Sequence, residues 1–220
     1  MRKIVASTFL SLDGVMQAPG GPEEDPTGGF KFGGWVFPYS DDVTGQHIGK
    51  LFDQPFDLLL GRTTYGIFAA YWPYAGEDHP IAKAFNSTTK YVVTSSREPL
   101  SWQNSVALHD MPADLARLKQ QDGPMLLIQG SSVLIHSLLK HDLIDEITLL
   151  IFPIVLGRGK RMFDEGALPA AFELVDSKGS STGVVIASYR RAGAIRTGSF
   201  AQAEPSRAEL ARRERMASKA

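Results

Sequence analysis

Three times in this chain an apolar run stops at small polar residues and a helix-like segment begins. The first junction is "LLLG-RTT" at 58–64, the second "YVVT-SSRE" at 91–98, the third "LLIQG-SSV" at 126–133. A short unbroken apolar run bounded in this way reads as a strand buried on both faces, which means a parallel sheet covered by helices. In such open sheets ligands bind outside the carboxyl ends of the strands. The following helix presents unpaired N–H groups and a partial positive charge there. Serine and threonine add donors without bulk, and Gly61 and Gly130 permit close backbone approach. Arg62 and Arg97 add permanent charge on a planar fork that suits phosphate. A ligand with several phosphates, such as a phosphorylated dinucleotide, would use all three junctions. The competing reading is that the hydroxyl residues are ordinary helix caps.

The rest of the chain fits the same class. Residues 3–10 read as a strand apolar on both faces and therefore central. After the turn "LDGVM", the segment 17–39 is rich in Gly and Pro and carries Phe30, Phe32, Trp35, Phe37 and Tyr39. Loops of this length are uncommon in compact domains unless they bind something. A helix over about 42–52 follows, capped by Asp41 or Asp42. Helices are expected at "TTYGIFAAYW", "IAKAFNS", "MPADLARLKQQ" and "SSVLIHSLLKH", and strands at "FDLLLG", "KYVVTS", "PMLLIQG" and "DEITLLIF". "AFELVDSK" and "GVVIASYR" read as a terminal antiparallel hairpin. The expected fold is α/β, with a mostly parallel sheet and an antiparallel C-terminal hairpin, in one domain over 1–191. The segment 192–220 carries Arg196, Arg207, Arg212, Arg213, Arg215 and Lys219 and few apolar residues. It reads as a basic, solvated tail with a frayed helix from about Ser206.

Composition narrows the function classes. With 23 basic and 24 acidic residues the net charge is −1, so no global field attracts nucleic acid or anionic lipid. The absence of cysteine removes disulfides and thiolate nucleophiles and fits a reducing compartment. Ser7, Thr8, Ser11 and Asp13 interrupt the apolar N-terminus where a signal peptide would be unbroken, and no apolar run approaches the ~18 residues of a membrane span. A cytoplasmic protein is expected. His47, His79, His109, His136 and His141 include no H-x-x-x-H pair, so no metal site is expected. "GRGKRM" at Gly157 lacks the third glycine of a dinucleotide fingerprint, and "GQHIGKL" has the wrong spacing for a P-loop.

The segments "SLDGVMQ", "LLLGRTTYG", "YVVTSS", "LLIQGSSVLIHSLLKHDLIDEI" and "IFPIVLGRGKRMF" together resemble the dihydrofolate reductase-like superfamily. Within it the chain is similar to the riboflavin-biosynthesis (RibD) C-terminal reductase domain and its stand-alone bacterial relatives, over residues 2–190. The resemblance implies a three-layer α/β/α fold and NADPH as cofactor. It places Gly61, Arg62, Thr63 and Thr64 at the cofactor phosphates. It sets Ser95, Ser96 and Arg97 near the adenosine 2′-phosphate, and Gly130, Ser131, Ser132 and Val133 under the pyrophosphate. "SLDGVM" would line the nicotinamide, and the aromatic loop would close over the site. Substrate contacts are expected from Gly14, Gln17, Trp35, Phe37, Tyr65, Pro153, Leu156 and Gly157.

The implied activity is NADPH-dependent hydride transfer to a C=N or C=O of a small pteridine, pyrimidine or riboflavin-precursor-like molecule. The alternative is a nucleotide-binding or sensor protein of the same fold without catalysis. For the proton, Asp41 or Asp42 falls where dihydrofolate reductases place a carboxylate, and Asp13 is the other candidate. Helix capping competes for the first two, and a plain Asp-Gly turn for the third. A homodimer is expected from the family. The chain lacks the zinc deaminase half of the bifunctional enzyme: it has no cysteine.

Overall fold

The computed structural model describes residues 1–76, 78–163, 167–200 and 204–218. Lys219, counted above with the tail, lies outside the described residues. Eight strands form one sheet: β1 (Ile4–Ser11), β2 (Phe56–Gly61), β3 (Lys90–Val93), β4 (Ser105–Leu108), β5 (Met125–Ile128), β6 (Glu146–Phe152), β7 (Phe172–Gly179) and β8 (Val185–Arg191). Their order is β4-β3-β2-β5-β1-β6-β8-β7. Strands β1 to β6 pair in parallel, and β8 runs antiparallel to both β6 and β7. The expected α/β sheet with its antiparallel C-terminal hairpin is present.

The apolar runs are continuous because both faces are covered. Leu58 and Leu60 of β2 point to one face, where Leu127, Val92 and Phe85 join them. That face is covered by α1 (Asp42–Phe52), α2 (Arg62–Tyr71) and α3 (Pro80–Ser87). Leu59 points to the other face, with Leu126 and Ile128, under α4 (Ala113–Gln120) and α5 (Ser132–Lys140). The alternation with period two thus divides one leucine run between two cores. β4 was not anticipated from the sequence. It is four residues long, lies at the sheet edge, and exposes Val106, so it has neither the length nor the apolar pattern of the inner strands.

Asp41, not Asp42, caps α1. Its carboxylate accepts from the Thr44 N–H at 2.9 Å, and the Thr44 hydroxyl lies 3.0 Å from the Asp41 N–H, which donates to it. The same carboxylate accepts from the Ser181 N–H and hydroxyl in the β7–β8 turn. The hairpin runs to the far edge of the sheet, where β7 exposes Leu174 and Val175. In the tail, α6 (Arg207–Ala217) buries no residue; Ser206 caps it, and Glu209 pairs with Arg212 and Arg213. No helix among the described residues is long and apolar enough to cross a membrane.

One lysine is fully buried. The Lys90 ammonium donates to the carbonyls of Asn86 (3.0 Å) and Thr88 (2.9 Å) and lies 4.4 Å from the centre of the Trp102 ring. Burial pulls its pKa down to about 8. Between about 8 and the free value near 10.4 the unfolded chain therefore holds a proton that the folded chain releases, and stability rises with pH across that window. Thermal unfolding of wild type and Lys90→Met should show it: the wild type gains stability relative to the variant as pH rises through this window. Parallel pH profiles would refute the assignment.

Candidate functional site

Strands β3, β2 and β5 are neighbours and parallel, so their carboxyl ends share one edge. Residues 61–64, 94–96 and 129–134 all line a single cavity of about 650 Å³ there. The link between two of the junctions is the Ser131 hydroxyl. It accepts from the Gly61 N–H at 3.0 Å and donates to the Thr64 hydroxyl at 2.6 Å. To do so, Gly130 and Ser131 both take left-handed backbone angles, with φ of 89° and 69°. A Cβ on residue 61 would stand 3.0 Å from that hydroxyl, so glycine permits the approach.

Two of the three junctions lack the helix caps that the competing reading requires. Neither α2, which starts after Gly61, nor α5, which starts after Ser131, has a side-chain cap. Their first-turn N–H groups face the cavity edge without that partner. At the second junction the Thr94 hydroxyl accepts from the Ser96 N–H (3.0 Å), and the Ser96 hydroxyl from the Glu98 N–H (3.1 Å). Arg62 pairs with Glu98 through Nη2 at 3.2 Å and lies over the Tyr65 ring, but its buried Nη1 has no hydrogen-bond partner. A buried guanidinium nitrogen left unpaired beside two uncapped helix starts suits an anion. These residues fit a dinucleotide's phosphates. Arg97 is exposed and does not line the cavity.

Another part of the cavity wall comes from the start of the aromatic loop. Gln17 organises it: its amide nitrogen donates to the carbonyls of Asp25 and Thr27 (both 2.9 Å), and its amide oxygen accepts from the Lys160 N–H (3.0 Å). Trp35 donates to the Gln17 carbonyl at 2.8 Å and sets its ring edge-on to Phe152 at 5.2 Å. Phe30, Trp35 and Val36 are buried with Phe152, Val184 and Ile186. The loop expected to close over the site is instead packed as wall, because burial of Phe30, Trp35 and Val36 fixes it to β6 and β8, while Phe32 and Phe37 are exposed. Only its first part, through Asp25, faces the cavity.

Several expected site residues lie elsewhere. The Asp13 carboxylate accepts from the N–H groups of Leu156 (3.0 Å) and Gly157 (2.8 Å), the Ser11 hydroxyl (2.6 Å) and Arg161 (3.1 Å). Burial opposes its charge, but these bonds outweigh burial and hold it well below the usual carboxylate range. It is a clasp between the turn after β1 and the segment 156–161. Gly14 is the left-handed residue of that turn, and Leu156 and Gly157 are the clasp's other half. Pro153, Phe37 and Asp42 are exposed, and Asp41 caps α1; none lines the cavity. Trp35 is in the core behind the loop. Tyr65 is buried under α2, its hydroxyl accepting from the Trp102 N–H at 2.8 Å. Of the expected substrate contacts, Gln17 reaches the cavity.

Among the described residues, the carboxyl groups that line the cavity are Glu24 and Asp25, neither anticipated from the sequence. Their environments separate them. Burial disfavours the charge on both. Asp25 is nevertheless held below its ordinary value by Lys160, whose Nζ is 2.6 Å away, and by Thr27. Glu24 is raised by burial and by the neighbouring Asp25 charge, against the pull of the Gly20 and Gly21 N–H groups. Adjacent acids inside a glycine-rich loop carry no sequence signal of this kind; "PEED" reads as solvated charge.

With this geometry in view, comparison with known proteins identifies the class. The chain matches the family model of the RibD C-terminal domain over residues 2–186 and belongs to that family. Two Bacillus subtilis proteins, both uncharacterized, are similar to it. YyaP is 24% identical over 191 residues, covering 84% of this chain and 92% of YyaP. YwjB is 28% identical over 169 residues, covering 74% and 84%. Among solved structures, a putative riboflavin biosynthesis protein from Shewanella sp. PV-4 superposes with a TM-score of 0.64 at 21% identity, covering 86% of this chain and 99% of that one. Dihydrofolate reductase from Enterococcus faecalis, solved with NADP(H) and RAB-propyl, gives 0.56 at 16% identity, covering 86% and 96%. A pyrimidine reductase-like protein from Corynebacterium diphtheriae gives 0.56 at 14%, covering 89% and 93%. The fold is dihydrofolate reductase-like.

Because the Asp13 carboxyl is depressed in the folded state, its contribution is present above the free carboxylate range and lost as pH falls through and below it. Asp13→Asn should lower the melting temperature at neutral pH and flatten the acid limb of the stability profile. An unchanged acid limb would show that the clasp contributes nothing. Ser131→Ala strips the acceptor from the Gly61 N–H, and chemical denaturation should register a loss of about 1 kcal/mol.

Proposed function

We propose that this protein is an NADPH-dependent reductase that delivers a hydride to a C=N or C=O of a small heterocyclic substrate. The observation that carries this reading is the meeting of three strand–helix junctions at one cavity, two of them with uncapped helix starts and one with the unpaired Arg62 Nη1. The NADP(H) in the Enterococcus faecalis neighbour supports the choice of cofactor. Residues 61–64 and 130–133 would hold its phosphates through backbone N–H groups and hydroxyls, with Arg62 as the cation. When bound, the cofactor supplies the hydride and leaves oxidised.

The chain's own tasks are alignment, exclusion of water and delivery of a proton. Reduction of C=N adds the hydride to carbon and a proton to nitrogen. Glu24 is the proton source in this reading: its carboxyl lines the cavity and its raised pKa keeps the proton available at higher pH than an exposed glutamate would. Solvent returns the proton afterwards. Asp25, bonded to Lys160 and Thr27, stays charged and fixes the loop.

Two measurements test this. Arg62→Ala should weaken NADPH by about tenfold or more, the loss of a charge-assisted hydrogen bond; a smaller loss for NADH puts the arginine at the extra phosphate, and an equal loss puts it at the shared pyrophosphate. Wild type that fails to bind NADPH would refute the reading. Against a panel of pterins and pyrimidines, loss of dihydronicotinamide absorbance reports turnover. Glu24→Gln should cut that turnover by about 100-fold while NADPH affinity holds. In wild type the rate should fall as pH rises through the raised Glu24 value, and the variant should lack that limb. Binding of NADPH without turnover of any panel member would leave a nucleotide sensor of the same fold.

A further inference from the structure

The cation at the junction edge already has an anion. Among the described residues that line the cavity, the cations are Arg62 and Lys160, and Lys160 is paired with Asp25 at 2.6 Å. Arg62 is only half committed. Its Nη2 donates to a Glu98 carboxylate oxygen at 3.2 Å, while its buried Nη1 has no hydrogen-bond partner. The Glu98 side chain is 78% exposed and does not line the cavity. An ion pair so open to water is weak and exchanges readily. Phosphate binds arginine best through two parallel N–H bonds from the planar fork. With Glu98 on Nη2, an incoming phosphate finds one nitrogen taken and a charge of its own sign beside it.

The carboxylate is not needed to hold the arginine. The guanidinium carbon lies 5.6 Å from the centre of the Tyr65 ring, and Tyr65 is buried, its hydroxyl accepting from the Trp102 N–H at 2.8 Å. Glu98 is tied to the second junction through its backbone: its N–H donates to the Ser96 hydroxyl at 3.1 Å, and Ser96 lines the cavity. Neutralising the carboxylate leaves the ring under Arg62 and the turn that carries Glu98 as they are. An exposed pair adds little to the arginine's placement, whereas a multiply charged phosphate feels the repulsion once for each of its charges, so repulsion wins.

We infer that Glu98 competes with phosphate for Arg62 and so sets how tightly the junction edge holds a phosphorylated ligand. Glu98 is a positioning residue of opposing sign: it acts through the arginine, yields it when phosphate arrives and reclaims it when phosphate leaves. In the reductase this favours release of the spent cofactor. The inference rests on the cofactor reading only for the identity of the ligand; the competition follows from the ion pair and the unpaired Nη1.

Isothermal calorimetry on the full chain tests it, with inorganic pyrophosphate and NADP⁺ as probes at low and high salt. Glu98→Gln should tighten both by about fivefold at low salt. The gain should shrink at high salt, which a purely structural change would not produce. Unchanged or weaker binding by the variant would overturn the inference and leave the cofactor reading standing. In an Arg62→Ala background the gain from Glu98→Gln should vanish, because no fork is left to compete for. A gain that persists there would refute competition through the arginine. If pyrophosphate binds and NADP⁺ does not, the cofactor reading fails, and the two variants still decide the competition. If neither probe binds wild type or Glu98→Gln, Arg62 holds no phosphate and the inference falls.

Discussion

Strands β2, β5 and β1 pair in parallel at the middle of the sheet, and this pairing points their carboxyl ends the same way. Every other feature of the site follows from it. Helices must leave from that edge, so their free N–H groups collect there. The Ser131 hydroxyl then holds the ends of β2 and β5 at hydrogen-bond distance, close enough that a Cβ on residue 61 would stand 3.0 Å from it and push it aside. The same hydroxyl, carried on the left-handed backbone of Ser131, is turned to Gly61 and Thr64 and makes no cap bond to α5. The helix starts are left open as a consequence of how the strand ends are joined.

The part of the wall that the loop supplies is built on different physics. Its residues belong to an irregular segment with few backbone partners, so side chains take over the work of a sheet. Gln17 connects three pieces of backbone, and Asp13 ties the turn after β1 to the segment 156–161. Gly159 lets that segment approach: a Cβ there would stand 2.5 Å from Val15. The effect is to set Lys160 beside Asp25, while Glu24, held by the Gly20 N–H at 2.6 Å, also faces the cavity. The junction edge of the cavity is made of main-chain dipoles and hydroxyls and suits phosphate, and the loop brings the Glu24 and Asp25 carboxyl groups to the same cavity.

Much of this was legible in the sequence. The buried parallel strands announced themselves as unbroken apolar runs, and the three junctions stood out because hydroxyl and glycine residues follow each run. Where the chain carried a regular period, reading and structure agree; β4 escaped because four edge residues hold no period to read. Of the junction residues, Arg97 alone was grouped with the site and lies outside it, since a side chain's direction after a turn is not encoded by its distance from a strand end. The acids fared worst. Asp13, Asp41 and Asp42 were placed by position along the chain. In three dimensions Asp13 bridges and Asp41 caps, because short carboxylates next to turns and helix starts find backbone N–H groups before they find a cavity.

The sequence by itself determined the α/β class, the parallel centre, the antiparallel end and the anion-friendly strand ends, because each is a local pattern of burial and hydrogen-bonding capacity. Only the tertiary structure decided that the three ends share one cavity, that the aromatic loop is wall and not cover, and that Glu24 faces inward while Asp13 does not. Those outcomes depend on contacts between residues far apart in sequence, such as Gly61 with Ser131, Asp13 with Gly157 and Gln17 with Lys160. No local pattern can specify which of several equivalent polar side chains such a contact will claim.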